Sequence, residues 1–220
     1  MWNSPLALSL RIALIATLMT LVLGLFLSYR SLRWKKLRTI TDVLFLLPLV
    51  LPPTVMGFFL LMLFSKQHWL GSFLDTYGIR IVFSWWGGVL ASFLVAFPLM
   101  VRSCQSAMEQ MDQNLCDAAR TLGMREWDIF WKVVLPNCLP GVISGSVLAF
   151  ARAFGEFGAT IMIAGNIPNK TQTISMAIYS AMQSGNYEVA YRWVFLMIAF
   201  SALCILLMNL SIKNRKKVKP

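Results

Sequence analysis

Long uncharged apolar runs, separated by short polar or basic segments, dominate the chain. Residues 12–29, 43–64, 81–101, 133–151 and 193–212 carry no charged side chain, and the fourth run continues with few interruptions to residue 163. A hydrocarbon layer about 30 Å thick takes roughly 20 apolar residues of helix to cross. The pattern therefore predicts five spans, at about 12–29, 43–64, 81–101, 139–163 and 193–212, in one membrane domain covering residues 1–220. They are expected to be helical because lipid supplies no partner for an open strand edge. An all-α integral membrane fold follows. A sixth crossing within 164–192 has weak support and stays open. The first run, 18 residues long, exceeds a signal-peptide core of about 7–15 residues. It ends in basic residues rather than a small-residue cleavage site, so it is expected to be retained.

Composition agrees: 58% of the 220 residues are hydrophobic and 13% charged, against about 25% charged in soluble domains. The formal charge of +11 invites a nucleic-acid reading, but its distribution argues otherwise. Arg30, Arg33, Lys35, Lys36 and Arg38 follow the first span, and Lys213, Arg215, Lys216, Lys217 and Lys219 follow the last. Basic clusters beside apolar spans mark cytoplasmic segments. The opposite loops hold only Lys66, Arg80, Lys170 and Arg192. An outside N-terminus, with 30–42, 102–132 and 213–220 in the cytoplasm, satisfies this bias; Arg11 is the exception. No motif interleaves aromatic and basic residues, so no nucleic-acid partner is expected. Cys104, Cys116, Cys138 and Cys204 lack metal-ligand spacing and the single histidine is His68, so no metal site is expected.

Between the third and fourth spans lies a polar stretch far longer than the usual connection of about 4–6 residues. Cys104, Met108, Met111, Leu115, Ala118 and Leu122 recur at steps of four and three, which places them on one helical face. Gly123 is positioned to stop that helix by adopting positive φ. A second amphipathic piece follows, carrying Trp127, Phe130, Trp131 and Val134, and is expected to end at Leu135 and Pro136. Periodicity alone fits equally a surface helix resting on the membrane interface.

The segment DAARTLGMREWDIFWKVVLP (residues 117–136) resembles the coupling loop of binding-protein-dependent ABC permeases. In that family an acidic residue, two alanines, a glycine and a later Leu-Pro pair share this spacing; here they are Asp117, Ala118, Ala119, Gly123, Leu135 and Pro136. Asp117 stands where the family more often has glutamate. The resemblance implies a type I ABC importer permease fold in which the short helix docks on a separate ATPase subunit. It also implies a dimer of that ATPase, which supplies ATP and Mg²⁺ chemistry, and an oxyanion-binding protein, periplasmic or lipid-anchored, outside. No GxxxxGK[ST] phosphate loop occurs in this chain, so ATP hydrolysis is expected on the partner and no cofactor here. Five spans are few to enclose a path, and a homodimer with the path at its interface is expected.

Two spans carry residues unusual for lipid. Pro48, Pro52, Pro53 and Gly57 fall in the second, where proline removes a backbone donor and forces a kink or break. Arg152 and Glu156 fall near the middle of the fourth, where each charge costs roughly 2.5–3.5 kcal/mol on insertion scales. Their spacing of four lets them pair, and Gly155 and Gly158 beside them permit close helix approach. The pair either fixes packing or borders a gate. Pro52, Pro53, Gly57, Arg152, Gly155, Glu156 and Gly158 are the candidates for the translocation path. A glutamate beside the arginine would repel an anion, so a tight binding site is not implied.

The segments LPLVLPPTVMGFFLL (47–61) and LAFARAFGEFGATIMIAGNIP (148–168) resemble molybdate permeases, and the second is also similar to sulfate and thiosulfate permeases. The Pro-Pro-Thr-Val-Met-Gly run and TQTISMAIYSAM (171–182) favour molybdate over sulfate; tungstate, a tetrahedral anion of nearly the same size as molybdate, stays an open alternative. After the turn residues Asn166, Pro168 and Asn169, Ile174, Ala177, Ile178, Ala181 and Met182 suggest a short outer helix, re-entrant, docking a binding protein or simply packing. An ion-coupled transporter would more often show internal repeats and several buried acids; Glu156 is the one mid-span carboxylate. A membrane-embedded enzyme has no nucleophile motif to support it.

Overall fold

The computed structural model describes residues 4–33 and 38–216, with side chains at 4–32 and 38–206. Lys35, Lys36, Lys217 and Lys219, used above for orientation, lie outside the described residues. The elements are α1 (Pro5–Arg33), α2 (Arg38–Val50), α3 (Pro53–Phe64), α4 (Trp69–Thr76), α5 (Trp85–Glu109), α6 (Gln113–Thr121), α7 (Glu126–Ile129), a π-helical turn (Phe130–Val134), α8 (Leu135–Phe154), α9 (Gly158–Ala164), α10 (Ile174–Gln183) and α11 (Tyr187–Lys216). Among the described residues four helices, Pro5–Leu32, Trp85–Glu109, Glu126–Phe154 and Tyr187–Leu206, are long and apolar enough to cross a bilayer. The pair α2 and α3 meets the same test taken together but is bent by 107° at its break, the shape of a broken span or of a re-entrant pair.

Packing centres on α5, which lies against α1, α8, α9 and α2. Ala13 and Ala16 of α1, Ala96, Met100 and Cys104 of α5, and Val142, Ala149 and Ala153 of α8 form the buried core. Small residues dominate these seams because without a hydrophobic driving force in lipid, helices gain by close van der Waals contact. Turned outward are Leu14, Leu18 and Val22 of α1, Leu44 and Leu47 of α2, Phe58 and Phe59 of α3, and Phe195, Ile198 and Leu203 of α11. Those apolar faces suit acyl chains. Arg11, the exception to the charge bias, lies 4.2 Å from the ring centroid of Trp85, a cation–π contact at the outer end of α5.

Two departures from the sequence pattern, and one question it left open, have clear causes. The fourth span is not one helix over 139–163: it starts at Glu126, runs through the π-helical turn, ends at Phe154, and resumes as α9. Hence the amphipathic piece does not stop at Leu135 and Pro136. Leu135 N–H donates to Phe130 O five residues back, and this wider turn accommodates Pro136, which lacks a donor. Asn137 Nδ2 then donates to Val133 O at 2.7 Å. Second, the face running from Cys104 to Leu122 spans a break at 110–112, because Asp112 caps α6 by accepting from Asn114 N–H at 2.9 Å. The buried residues of α6 are consequently Cys116 and Ala119, while Leu115 and Leu122 are exposed. Third, 164–192 holds no further crossing among the described residues: α10 has 10 residues, about 15 Å, half the hydrocarbon thickness.

Candidate coupling surface and translocation site

At the end of the bundle shared by Arg30, Arg38 and Glu109, α6 packs one face, through Cys116 and Ala119, on the helical core and leaves the other open. Its C-terminus is a Schellman cap: Gly123 has φ +76°, its N–H donates to Arg120 O at 2.9 Å, and Met124 N–H donates to Ala119 O at 3.2 Å. A Cβ at Gly123 would meet nothing within 4 Å, so positive φ, not crowding, is what calls for glycine here. Arg120 bridges the turn, with Nε 2.9 Å from Glu126 Oε1 and Nη1 2.5 Å from Asp117 Oδ1. Tyr29 packs against Phe130 with ring centroids 4.8 Å apart, tying the same turn to α1. The angle between α6 and the long helix behind it is thus set by a backbone cap and an ion bridge, and the aromatic contact anchors that long helix to α1.

The sequence candidates divide across this element. Ala119 faces inward and is buried, whereas Asp117, Ala118 and Gly123 face solvent. Leu135 and Pro136 lie at the start of α8, behind the π-helical turn. Beside Ala118, Leu122 is 81% exposed and Trp127 62% exposed, with Leu115 and Trp131 also open. The exposure of these apolar side chains is costly unless lipid or another protein surface covers them.

A second constellation lies where the two broken spans meet. Pro52, in extended conformation, precedes α3, and Pro53 occupies its first turn, the helical position where a missing N–H does least harm. A Cβ on Gly57 would lie 2.7 Å from Ala159 O and 2.8 Å from Ala159 Cα, so α3 and α9 touch backbone to backbone. A Cβ on Gly158 would lie 3.1 Å from Pro53 Cβ. Glu156, 2% exposed, sits in the break between α8 and α9. Its Oε1 accepts from Ala159 N–H at 2.8 Å and its Oε2 lies 2.7 Å from Arg152 Nη1. The acid therefore satisfies the first turn of α9 and neutralises the arginine, whose side chain remains 32% exposed.

Pro53, Gly57, Arg152, Glu156 and Gly158 are thus brought to one crossing. Pro52 is exposed beside it, and Gly155 faces Met197 of α11 instead. Sequence reasoning missed Ala159, the residue Gly57 packs on, and Ser92, whose Oγ donates to Ala153 O at 3.3 Å. It also missed a buried network on the cytoplasmic side, where Gln105 Nε2 donates to Asp42 Oδ1 at 2.7 Å and to Ser31 Oγ at 3.1 Å. There Arg38 bonds both Asp42 and Glu109. The usable signal was Gln105 itself, an amide on the otherwise apolar buried face of α5. Among the described residues no cluster of His, Cys, Asp or Glu could hold a metal ion.

On the outer side, α4 and the loops around it enclose a cavity of about 470 Å³ lined in part by Lys66, Asp75, Arg80 and Lys170. Hydrogen bonds from Lys66 and then Arg80 hold the Asp75 carboxyl below its ordinary value.

Residues 20–214 match the family described as the binding-protein-dependent transport system inner membrane component. The chain belongs to this family. Among its relatives, the putative molybdenum transport system permease protein YvgM of Bacillus subtilis is 39% identical over 92% of this chain and 90% of its own length. The molybdenum transport system permease protein ModB of Escherichia coli is 42% identical over 94% of this chain and 91% of its own. The sulfate transport system permease protein CysT of Escherichia coli is 35% identical, over 90% and 72%. The solved inward-facing MetNI methionine ABC transporter shares the fold with TM-score 0.73 at 16% identity, covering 94% of this chain and 92% of that one. A bacterial alginate importer shares it with TM-score 0.78 at 13% identity, over 98% and 79%. This permease is accordingly a multi-pass inner-membrane protein with the ABC importer fold, and its family works with a binding protein.

Proposed function

We propose that this permease, as a homodimer, carries molybdate inward across the membrane by alternating access, driven by a separate ATPase dimer and fed by an outer oxyanion-binding protein. The observation that carries the reading is α6, held rigidly at the cytoplasmic end with Leu115, Leu122 and Trp127 uncovered. The cap at Gly123 and the Arg120 bridge fix the angle of α6 relative to the long helix that follows. A lever transmitting force needs such a fixed angle. The molybdate assignment is supported by relatives of 39–42% identity, matched over nearly their whole length, that are named for molybdenum transport. Sulfate is the second reading, supported by the weaker relative.

The crossing of α3 and α9 is the natural gate. Two broken helices in backbone contact can part or close by small shifts, and the Arg152–Glu156 pair leaves one face of the guanidinium to greet an anion without trapping it. The test is reconstitution with the cognate ATPase and binding protein, measuring ATP hydrolysis with molybdate, tungstate and sulfate. Stimulation by molybdate and tungstate is expected. Stimulation by sulfate alone overturns the substrate assignment.

A further inference from the structure

The cytoplasmic half of the α5–α8 seam holds a groove of about 410 Å³ lined by Arg102, Ser103, Ser106, Gln110, Gly141 and Ser144. Its floor is made by close approach: a Cβ on Gly141 would lie 2.4 Å from Ala107 Cβ, and one on Gly145 2.6 Å from Ser103 Cβ. Arg102 follows Trp85, at the outer end of α5, by 17 residues, about 25 Å along the helix. It therefore sits near the cytoplasmic edge of the roughly 30 Å apolar layer, where the span passes into the cytoplasmic segment that begins at residue 102.

Two features separate this face from those turned to lipid. Exposed positions of α1 and α11 carry Leu, Val, Ile and Phe, whereas those at the end of α5 and its C-cap are Arg102, Ser106, Glu109 and Gln110. Several other hydroxyls in the spans donate to a backbone oxygen, as Thr17 to Ala13 O and Ser146 to Val142 O on their own helix, and Ser28 to Val101 O and Ser92 to Ala153 O on a neighbouring one. Ser103 and Ser144 have no such bond among the described residues, nor has Arg102 a carboxylate partner there. The groove thus presents a cation and hydroxyl donors with their hydrogen-bonding capacity free. Arg152 projects from the same face of α8 as Gly141, 11 residues or about 16 Å further up, below the crossing of the broken helices.

We propose that this groove is a weak tetrahedral-oxyanion site on the exit half of the path, with Arg102 as the attracting charge and Ser103 and Ser144 as donors. The inference rests on the importer reading above. Free oxyanion is the occupant, because the donors converge on a groove between helices rather than on a single snorkelling side chain. A lipid phosphate, which shares the chemistry, is separated by the test.

Ser144→Cys is introduced into the permease reconstituted with its ATPase and binding protein, and modification by anionic and cationic methanethiosulfonates is compared. Native Cys104, Cys116 and Cys138 are buried, and the unsubstituted complex supplies the background. The anionic reagent should react faster; Arg102→Gln should lower the anionic-to-cationic ratio about tenfold, the effect of one cation within ~10 Å at intermediate dielectric. Arg102→Lys should restore the ratio, and millimolar molybdate should slow labelling. A cysteine unreactive to both charged reagents, or a ratio indifferent to Arg102→Gln, overturns the proposal. So does a ratio that follows the phosphatidylglycerol content of phosphatidylcholine vesicles, since lipid is then the occupant. Molybdate uptake is measured in the same vesicles. Intact uptake with an unreactive cysteine sinks the groove alone, whereas no uptake by the unsubstituted complex overturns the importer reading and the groove with it.

Discussion

The Arg152–Glu156 pair is asymmetric, and that asymmetry makes a sharp prediction. Glu156 is almost fully enclosed, while about a third of the Arg152 side chain is open. Arg152→Gln strands a carboxylate at the α3–α9 crossing with only Ala159 N–H left to it. Breaking a buried pair from one side costs about 3–5 kcal/mol, and this substitution should approach that range. Glu156→Gln is milder: the amide oxygen can still accept from Ala159 N–H, and the released guanidinium can turn toward water, so the cost should be about 1–2 kcal/mol. The double substitution removes both charges, and the coupling energy should be about 2 kcal/mol. Equilibrium unfolding of the purified permease in detergent, with the four proteins of the cycle, measures these values. Equal costs, a reversed order or additivity within about 0.5 kcal/mol would show that the pair is not coupled as its geometry requires.

Three further outcomes follow from the structure. Gly57→Ala places a methyl against the backbone of Ala159; overpacking of this kind costs about 1–3 kcal/mol, read as a lower thermal midpoint in detergent and slower transport. Gly123→Ala meets no neighbour but takes the steric cost of positive φ, about 1–2 kcal/mol; Gly123→Asp should leave the protein in the membrane yet uncouple ATP hydrolysis from uptake, measured in the reconstituted complex. The depressed Asp75 carboxyl contributes stability to the outer loop above its ordinary value of about 3.9, and loses it only as pH falls through the lower folded value. Hydrogen exchange over residues 65–84 should therefore be unchanged by this pair from pH 7 to 5 and rise only in stronger acid.

Much of this architecture was written in the apolar runs, because lipid demands roughly 20 residues without charge and punishes every exception. The break between α2 and α3 was legible for the same reason, since Pro52 and Pro53 permit little else. The break after α8 was not. Arg152 and Glu156 have the i, i+4 spacing of a continuous helix, and their pairing was anticipated. The competing use of the Glu156 carboxylate, as acceptor for Ala159 N–H, ends one helix and starts another. Gly155 and Gly158 bracketing an acid were the overlooked signal. In the cytoplasmic segment Gly123 was readable as a cap, but the apolar steps from Cys104 to Leu122 misassigned the face of α6. Asp112 restarts the helix and rotates the pattern, so Cys116 and Ala119 face inward. The missing information was tertiary in each case: which neighbour claims a polar atom.

The account stands on α6 and its flanking turn as the surface that receives force from a motor protein. A photo-crosslinking residue at Leu122, the exposed tip of that surface, tests this in intact membranes, with the same residue at lipid-facing Phe195 as control. A covalent adduct with a nucleotide-hydrolysing subunit from position 122 and none from 195 is predicted. Adducts only with lipid, or equal yield at both positions, would contradict the account.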